Sequence, residues 1–138
     1  MQTEMKEAAL RLARLNPHAL LTTVADGKPR CRTMQTARID DDFTVWFATY
    51  AESAKVDQLK ANPQVCVSYY IPGIDLNVYG EAALLDDQRL KDELWRDDWK
   101  KFFAGGKTDQ NYLVIRITAA RVEFRDVLHQ GFEPVLLS

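Results

Sequence analysis

The stretch Ala19-Leu-Leu-Thr-Thr-Val-Ala-Asp-Gly-Lys-Pro-Arg-Cys-Arg-Thr-Met34 decides how the chain folds. Residues 19–25 are typical of a strand, and a second strand is predicted from Arg30 to Arg38. Between them, Asp26-Gly27 is a strong signal for a two-residue hairpin turn. Because a hairpin joins antiparallel neighbours, this segment predicts a sheet that begins with antiparallel pairing.

The elements on either side of this hairpin lack the regular strand–helix alternation of a parallel sheet. A helix is predicted over residues 3–15, where apolar residues recur at spacings of three and four before Asn16-Pro17. Another is predicted over residues 52–61, and a charged helical region follows Asp86 as its cap. The remaining predicted strands are residues 43–48, 64–71, 76–85, 112–117 and 121–125, with a turn at 118–120. Together they predict an antiparallel barrel of six to seven strands.

Size and charge narrow the classes of function. The 138 residues predict one domain spanning 1–138, and the net charge of −2 provides no overall field that would attract nucleic acid. No apolar run approaches the roughly 20 residues that would span a membrane. The start of the chain is helical rather than basic and then apolar, so we expect a cytoplasmic protein without a signal peptide.

The two cysteines and two histidines are too far apart in the sequence to form a recognisable metal motif. Cys31 and Cys66 both fall within predicted strands, and neither belongs to a Cys-x-x-Cys pair. We therefore expect two buried thiols in a reducing compartment and no bound metal.

A candidate site lies in Phe47-Ala-Thr-Tyr-Ala-Glu-Ser-Ala-Lys55, where a predicted strand passes into a predicted helix. This junction places Thr49, Ser53 and Lys55 beside the free N–H groups and the positive dipole end of a helix. Such an arrangement is typical of a phosphate site.

The second predicted strand supplies further groups for the same site. Arg30, Arg32 and Met34 share one face of it because strand side chains alternate, and that face is a poor core. Thr33 points the other way, but its backbone is placed to meet a flat ring at the strand edge. An ordinary surface also explains these residues, with solvated arginines and with Ser53 as a simple helix cap.

The order of these segments resembles the pyridoxamine 5′-phosphate oxidase-like superfamily of FMN-binding split barrels, and in particular its bacterial general stress protein branch. The resemblance extends from about Glu4 to Asp126. Its segments are Leu20-Leu-Thr-Thr-Val24, Asp26-Gly-Lys-Pro-Arg-Cys-Arg-Thr-Met34, Val45-Trp-Phe-Ala-Thr-Tyr-Ala-Glu-Ser-Ala-Lys55, Leu59-Lys-Ala-Asn-Pro-Gln-Val-Cys-Val-Ser-Tyr69, Val78-Tyr-Gly-Glu-Ala82, Glu93-Leu-Trp95 and Phe103-Ala-Gly-Gly-Lys-Thr-Asp109.

This resemblance implies a mainly β fold, an antiparallel split β-barrel of six to seven strands with flanking helices. It also implies a homodimer that holds FMN at the subunit interface, together with a small-molecule electron donor and acceptor. The implied cofactor-binding residues are Arg32, Thr33, Met34, Phe47, Ala48, Thr49, Ser53 and Lys55. Further candidates are Arg30 and, as cover from the late insertion, Phe103 and Trp95.

Several departures from the family pattern bear on activity. Pyridoxamine phosphate oxidases carry a second basic residue where this chain has Ala54, and a C-terminal segment with a substrate-binding arginine where it ends in Pro134-Val-Leu-Leu-Ser138. The stress-protein branch often has tryptophan where Arg125 stands. Oxidation of vitamin B6 is therefore not expected. The implied function is a flavoprotein oxidoreductase that passes electrons through FMN, with no catalytic residue identified. The alternatives are a non-catalytic flavin carrier or a relative that uses deazaflavin or haem.

Overall fold

The structure is a computed structural model that describes residues 2–138. Its helices are α1 (Gln2–Leu15), α2 (Ala54–Ala61), α3 (Gln88–Leu94) and α4 (Val127–Gln130). Its strands are β1 (His18–Ala25), β2 (Lys28–Gln35), β3 (Arg38–Ile39), β4 (Val45–Tyr50), β5 (Gln64–Ile71), β6 (Ile74–Leu85), β7 (Tyr112–Asp126) and β8 (Val135–Leu137). Two short 3₁₀-helices, Asp97–Lys101 and Gly106–Thr108, lie between α3 and β7.

All strand pairings in this sheet are antiparallel, which confirms the predicted fold class. The order is β2-β1-β5-β6-β7-β4-β3, with β8 added beside β7. The Asp26-Gly27 turn joins β1 to β2, and both of its residues have the positive φ values that such a turn requires. Strands β2 and β3 are the edges of the sheet, and β2 approaches β4 across the opening. The barrel is therefore split along β2.

The core fills the inside of this curved sheet. Alternate residues of β1, β5 and β6 point inward, as Leu21, Val67 and Leu76 do, and they are fully buried. Ala9 and Leu12 of α1 pack into the same cluster. Burial of apolar surface at about 25 cal/mol per Å² is the main stabilising contribution, so α1 acts as a cover for the barrel interior.

The second predicted strand was too long at its carboxyl end. Strand β2 stops at Gln35, and Arg38 belongs to the separate strand β3. Between them the Thr36 N–H bonds to the carbonyl of Pro17, whereas the Ala37 N–H bonds to the carbonyl of Trp46. The chain thus leaves β1 and joins β4 within two residues, which ends the β2 ladder.

The predicted turn at residues 118–120 was wrong, because β7 runs through it without interruption. Gly80 of β6 pairs with Ala119, whereas Tyr79 pairs with Arg121, so Ala120 is an extra residue that forms a β-bulge. A Cβ atom at Gly80 would collide with the carbonyl oxygen of Thr118. The absence of a side chain at Gly80 is what lets the two strands approach closely there.

The insertion between β6 and β7 also differs from its prediction. Asp87, rather than Asp86, is the N-cap of α3, since its side chain accepts from the N–H groups of Arg89 and Leu90. The guanidinium of Arg96 donates to the carbonyl of Ala37 at 2.6 Å and ties the insertion to the segment after β2. A second apolar cluster lies beneath it, formed by Trp46, Leu94, Trp99, Phe103, Tyr112 and Val114.

The cysteines are unpaired, as expected, but they are less buried than predicted. Cys31 is exposed and Cys66 is half-buried. Cys31 lies on the edge strand β2, which has a neighbour on one side only, so its side chain remains accessible.

Candidate functional site

A cleft of about 400 Å³ opens where the edge strand β2 faces the end of β4. Helix α2 starts at one end of this cleft, and the insertion with its 3₁₀-helices forms the opposite wall. The residues that line the cleft are His18, Thr33, Met34, Gln35, Ala48, Thr49, Tyr50, Lys55, Trp99, Phe102 and Phe103.

Lys55 lies in the first turn of α2 and extends back toward β4. Its ammonium group donates a hydrogen bond to Oγ1 of Thr49 at 3.0 Å. Burial lowers the pKa of Lys55, and the nearby positive charge of Arg32 lowers it further. The two cations are therefore close enough to repel one another.

Arg32 reaches the same place from β2. Its Nη1 donates to the carbonyl of Leu21 at 3.2 Å and to Oγ1 of Thr23 at 2.8 Å, and its Nη2 donates to Oε1 of Gln58 at 2.8 Å. Gln58 lies three residues after Lys55 and so on the same side of α2. Burial lowers the pKa of Arg32 as well.

No carboxylate compensates this pair of cations. Within residues 2–138, neither Arg32 nor Lys55 has an ion-pair partner, although the chain carries 20 acidic residues. Two half-buried like charges oppose each other, and each is desolvated without an anionic partner. An arrangement of this kind favours binding of an anion from solution.

Ser53 supplies a third polar group at this point. It is the N-cap residue of α2, yet its side chain makes none of the usual capping bonds to the first-turn N–H groups. Its hydroxyl oxygen is buried and has no hydrogen-bond partner anywhere in the part of the chain that the structure describes. A buried hydroxyl without a partner costs free energy. Ser53 is therefore suited to a ligand that forms a hydrogen bond with it.

Several aromatic rings also line the cleft. The rings of Tyr50 and Phe103 lie 5.0 Å apart between their centroids, and Phe103 lies 4.9 Å from Tyr112. Phe102, at the mouth, remains 49% exposed, and Tyr50 remains 37% exposed. Exposed rings near a half-buried pair of cations fit a ligand with a flat apolar part and an anionic end.

The structure brings most of the predicted site residues together. Thr33, Met34, Ala48, Thr49 and Lys55 line the cleft. Arg32 and Ser53 do not form its wall: Arg32 bonds to Gln58 of α2, and Ser53 is the N-cap of the same helix.

Of the remaining candidates, all but Phe103 are placed outside the cleft lining. The side chain of Phe47 is fully buried in the barrel core and does not reach the cleft. Arg30 is exposed and donates only to the carbonyl of Pro29. Phe103 lines the cleft, whereas Trp95 packs behind it on Trp99, Phe103 and Tyr112.

Sequence reasoning missed other residues at this site. Tyr50 follows Ala48 at a spacing of two on β4, so strand alternation alone could have placed both on one face. His18 is paired with Gln35 across β1 and β2, which the hairpin register could have indicated. Gln58 had a weaker signal, its spacing of three from Lys55.

Within the described range, no three histidine, cysteine or acidic side chains come together as a metal site. No helix among residues 2–138 has the length and apolar character needed to cross a membrane.

A sequence profile for the family described as "Pyridoxamine 5′-phosphate oxidase like" matches residues 6–133. The chain is 28% identical to general stress protein 26 of Bacillus subtilis over 121 residues, which cover 84% of each protein. It also matches pyridoxine/pyridoxamine 5′-phosphate oxidases, including that of Pseudomonas putida at 35% identity over 69 residues. That match covers 50% of this chain and only 32% of the enzyme.

Solved structures share the fold. The general stress protein 26 of Bacillus anthracis superposes with a TM-score of 0.81 at 25% identity, covering 97% of this chain and 99% of that one. A general stress FMN/FAD binding protein from Xanthomonas citri superposes with a TM-score of 0.75 at 23% identity, covering 88% of both chains.

Proposed function

Because the chain belongs to the pyridoxamine 5′-phosphate oxidase-like family, we propose that it binds FMN in the cleft between β2 and β4. The observation that carries this proposal is that, within residues 2–138, the neighbouring cations Lys55 and Arg32 have no anionic partner, and the buried hydroxyl of Ser53, two residues before Lys55, has no hydrogen-bond partner. The Xanthomonas citri protein of the same fold is described as binding FMN or FAD. This description supports a flavin as the ligand.

The phosphate of FMN fits the start of α2. A phosphate monoester carries between about 1.5 and 2 negative charges at neutral pH and accepts several hydrogen bonds. Lys55, the remaining N–H groups of Arg32, the Ser53 hydroxyl and the first N–H groups of α2 would serve as its donors. The ring would then extend along Thr33 and Met34 toward the aromatic wall.

The residues of the cleft bind and orient rather than react. When bound, FMN supplies the ability to accept a hydride and pass electrons on. Thr33 lies on the edge strand β2, whose unpaired backbone groups are available to the edge of a ring. Phe102 and Phe103 would exclude water from one side of it. We propose on this basis an FMN-dependent oxidoreductase.

A second copy of the chain would complete the site. A smaller concave surface shares His18 and Thr33 with the cleft and continues to Tyr70 and Ile71, which are exposed on the β5–β6 hairpin. We propose that a homodimer covers this surface, with the flavin at the interface. Native mass spectrometry with and without FMN will count subunits and cofactors together, and a monomer with FMN bound would rule out this part of the proposal.

A non-catalytic flavin carrier is the second candidate function. It is favoured by the lining of the cleft, whose described residues include no carboxylate that could act as a general acid or base. The deciding experiment is reduction of the bound FMN by NADH or NADPH, followed by an acceptor. We expect reduction and turnover, whereas FMN that stays oxidised would select the carrier.

Absorbance spectra of the purified protein test the identity of the cofactor. FMN, deazaflavin and haem have distinct spectra, so the bound or added group can be recognised directly. We expect micromolar binding of FMN. Failure to retain or bind FMN would reject the proposal. The spectrum of a deazaflavin or of haem would show that the cleft binds that cofactor instead of FMN. The two unpaired cysteines, of which Cys31 is exposed, fit the cytoplasmic location that we propose.

Ser53→Ala should separate binding from folding. Because the Ser53 hydroxyl makes no capping bond and is buried without a partner in this structure, its removal should leave the free energy of unfolding unchanged or raise it by up to about 1 kcal/mol. A lost hydrogen bond to a charged phosphate should weaken FMN binding about tenfold. Chemical denaturation without FMN and a fluorescence titration with FMN measure the two effects. A loss of stability with unchanged FMN affinity would make Ser53 an ordinary cap.

The depressed pKa of Lys55 predicts how FMN affinity depends on pH. Only the protonated ammonium attracts phosphate, so affinity should fall as pH rises through the Lys55 pKa of the free protein. Because burial and Arg32 lower this pKa, the fall should begin below the ordinary lysine value of 10.5. Lys55→Arg should remove the fall, since a guanidinium stays protonated in this range. The same profile for wild type and Lys55→Arg would exclude Lys55 as its cause.

A further inference from the structure

We propose that Gln58 and Thr23 are positioning residues. They hold Arg32 at the proposed site for the FMN phosphate without neutralising its charge. This inference rests on the proposed function, because it concerns the same site. Neither residue belongs to the predicted site, and neither lines the cleft. Their role follows from the hydrogen bonds around the guanidinium.

The three side chains form a closed ring of hydrogen bonds. Nη1 of Arg32 donates to Oγ1 of Thr23 at 2.8 Å, and the Thr23 hydroxyl donates to Oε1 of Gln58 at 2.7 Å. Nη2 of Arg32 donates to the same Oε1 at 2.8 Å, which closes the ring. Thr23 is fully buried, and Gln58 is fixed on α2 between the buried residues Val56 and Leu59. The guanidinium is therefore held by groups that cannot easily move.

The acceptors in this ring are all uncharged. A carboxylate at position 58 would bind Arg32 at least as well, but it would neutralise the guanidinium and repel a phosphate. An amide and a hydroxyl give the same geometry and leave the positive charge for a ligand. With two Nη1 bonds and one Nη2 bond in use, Arg32 still has its Nε–H and one Nη2–H to donate.

Flexible arginine side chains lose conformational entropy when they bind a ligand. The ring of hydrogen bonds orders the Arg32 guanidinium before any ligand binds. Binding therefore costs less side-chain conformational entropy. Gln58 also connects Arg32 of β2 to the helix that carries Lys55. The bond from Arg32 to Gln58 thus restricts the distance between the two cations.

The test compares FMN with riboflavin, which lacks only the phosphate, on purified wild type and on Gln58→Glu and Gln58→Met. We expect both variants to weaken FMN binding about tenfold or more and to leave riboflavin binding unchanged. Gln58→Glu should also melt at or above the wild-type temperature without ligand, because it gains an ion pair with Arg32. An effect on folding alone would move both ligands together and lower the melting temperature.

Controls and a second variant make the outcome decisive. Gln130→Glu makes the same charge change at the exposed end of α4 and should bind FMN like the wild type. Thr23→Val removes the other side-chain acceptor for Arg32 with little change in volume. It tests the positioning role if Gln58→Met fails to fold. In the Arg32→Ala background, Gln58→Met should have no further effect on FMN binding.

The results separate this inference from the proposed function. If wild type binds FMN but Gln58→Glu, Gln58→Met and Thr23→Val all bind it equally well, the positioning role is overturned and the FMN site stands. Equal weakening of FMN and riboflavin would overturn it in the same way. If wild type binds neither ligand, the proposed function fails and this inference fails with it.

Discussion

Lys55→Met is expected to weaken FMN binding by one to two orders of magnitude. A charge-assisted hydrogen bond between an ammonium and a phosphate contributes about 1.5–3 kcal/mol, which corresponds to roughly tenfold to more than a hundredfold in the dissociation constant. Methionine keeps the unbranched apolar stem of lysine and removes its charge, so packing along Thr49 should be retained. The measurement is a titration of FMN by quenching of flavin fluorescence.

Lys60→Met is the matched control for this variant. Lys60 lies in the last turn of the same helix and is exposed, so its replacement removes the same charge away from the cleft. FMN affinity should stay within about twofold of the wild type. If Lys55→Met and Lys60→Met bind FMN equally, Lys55 takes no part in the site.

Phe47→Ala should lower the free energy of unfolding by about 3–5 kcal/mol, the usual range for a large aromatic residue removed from a core. The Phe47 side chain is completely buried in the barrel interior, and β4 cannot move to fill the space because it is paired with β3 and β7. Total stabilities are about 5–15 kcal/mol, so this loss would be severe. Urea denaturation of the protein without ligand measures it.

The same experiment decides what Phe47 does. As a core residue it should leave the FMN dissociation constant of the remaining folded protein unchanged. Phe102→Ala offers the opposite pattern, because this exposed ring lies at the mouth of the cleft: stability should stay nearly constant while FMN binding weakens. A stable Phe47→Ala protein with poor FMN binding would place Phe47 at the ring instead.

Local signals in the sequence were enough for much of the fold. Asp26-Gly27 strongly favours a two-residue hairpin turn, and this signal was enough to predict the β1–β2 hairpin. Asn62-Pro63 ends α2 because proline cannot continue a helix, and β5 begins at Gln64 as predicted. The resemblance to the family was carried by these ordered segments, and the family match confirms it.

Features that depend on pairing between distant strands were not predictable. Residues 118–120 have the small side chains of a turn, but β6 pairs along their whole length and accommodates Ala120 as a bulge beside Gly80. The carboxyl end of β2 was misplaced because only the bond from Ala37 to Trp46 shows where the chain changes partners. Neither the bulge at Ala120 nor the end of β2 can be recognised from the local amino-acid composition.

The residues of the candidate site also differ in this respect: some were predictable from the local sequence, and others depend on contacts between distant segments. Lys55, Thr49 and Ser53 were predicted because a strand-to-helix junction has known chemistry; in the structure Lys55 bonds to Thr49, and Ser53 is the N-cap of the helix that carries Lys55. Gln58 was missed because a glutamine in the middle of a short helix is usually solvated. Its role depends on Thr23 and Arg32, which reach it from two other strands. Phe47 was included with its neighbours, although strand alternation turns its side chain into the core.

Side-by-side dissociation constants of FMN and riboflavin for the wild-type protein test the central claim most directly. The two molecules differ only in the phosphate, so their ratio isolates the contribution of Lys55, Arg32 and Ser53. With at least two charge-assisted contacts, we predict that FMN binds at least about a hundredfold more tightly than riboflavin. Equal affinities for the two flavins, or binding of neither, would contradict an anion site at the start of α2.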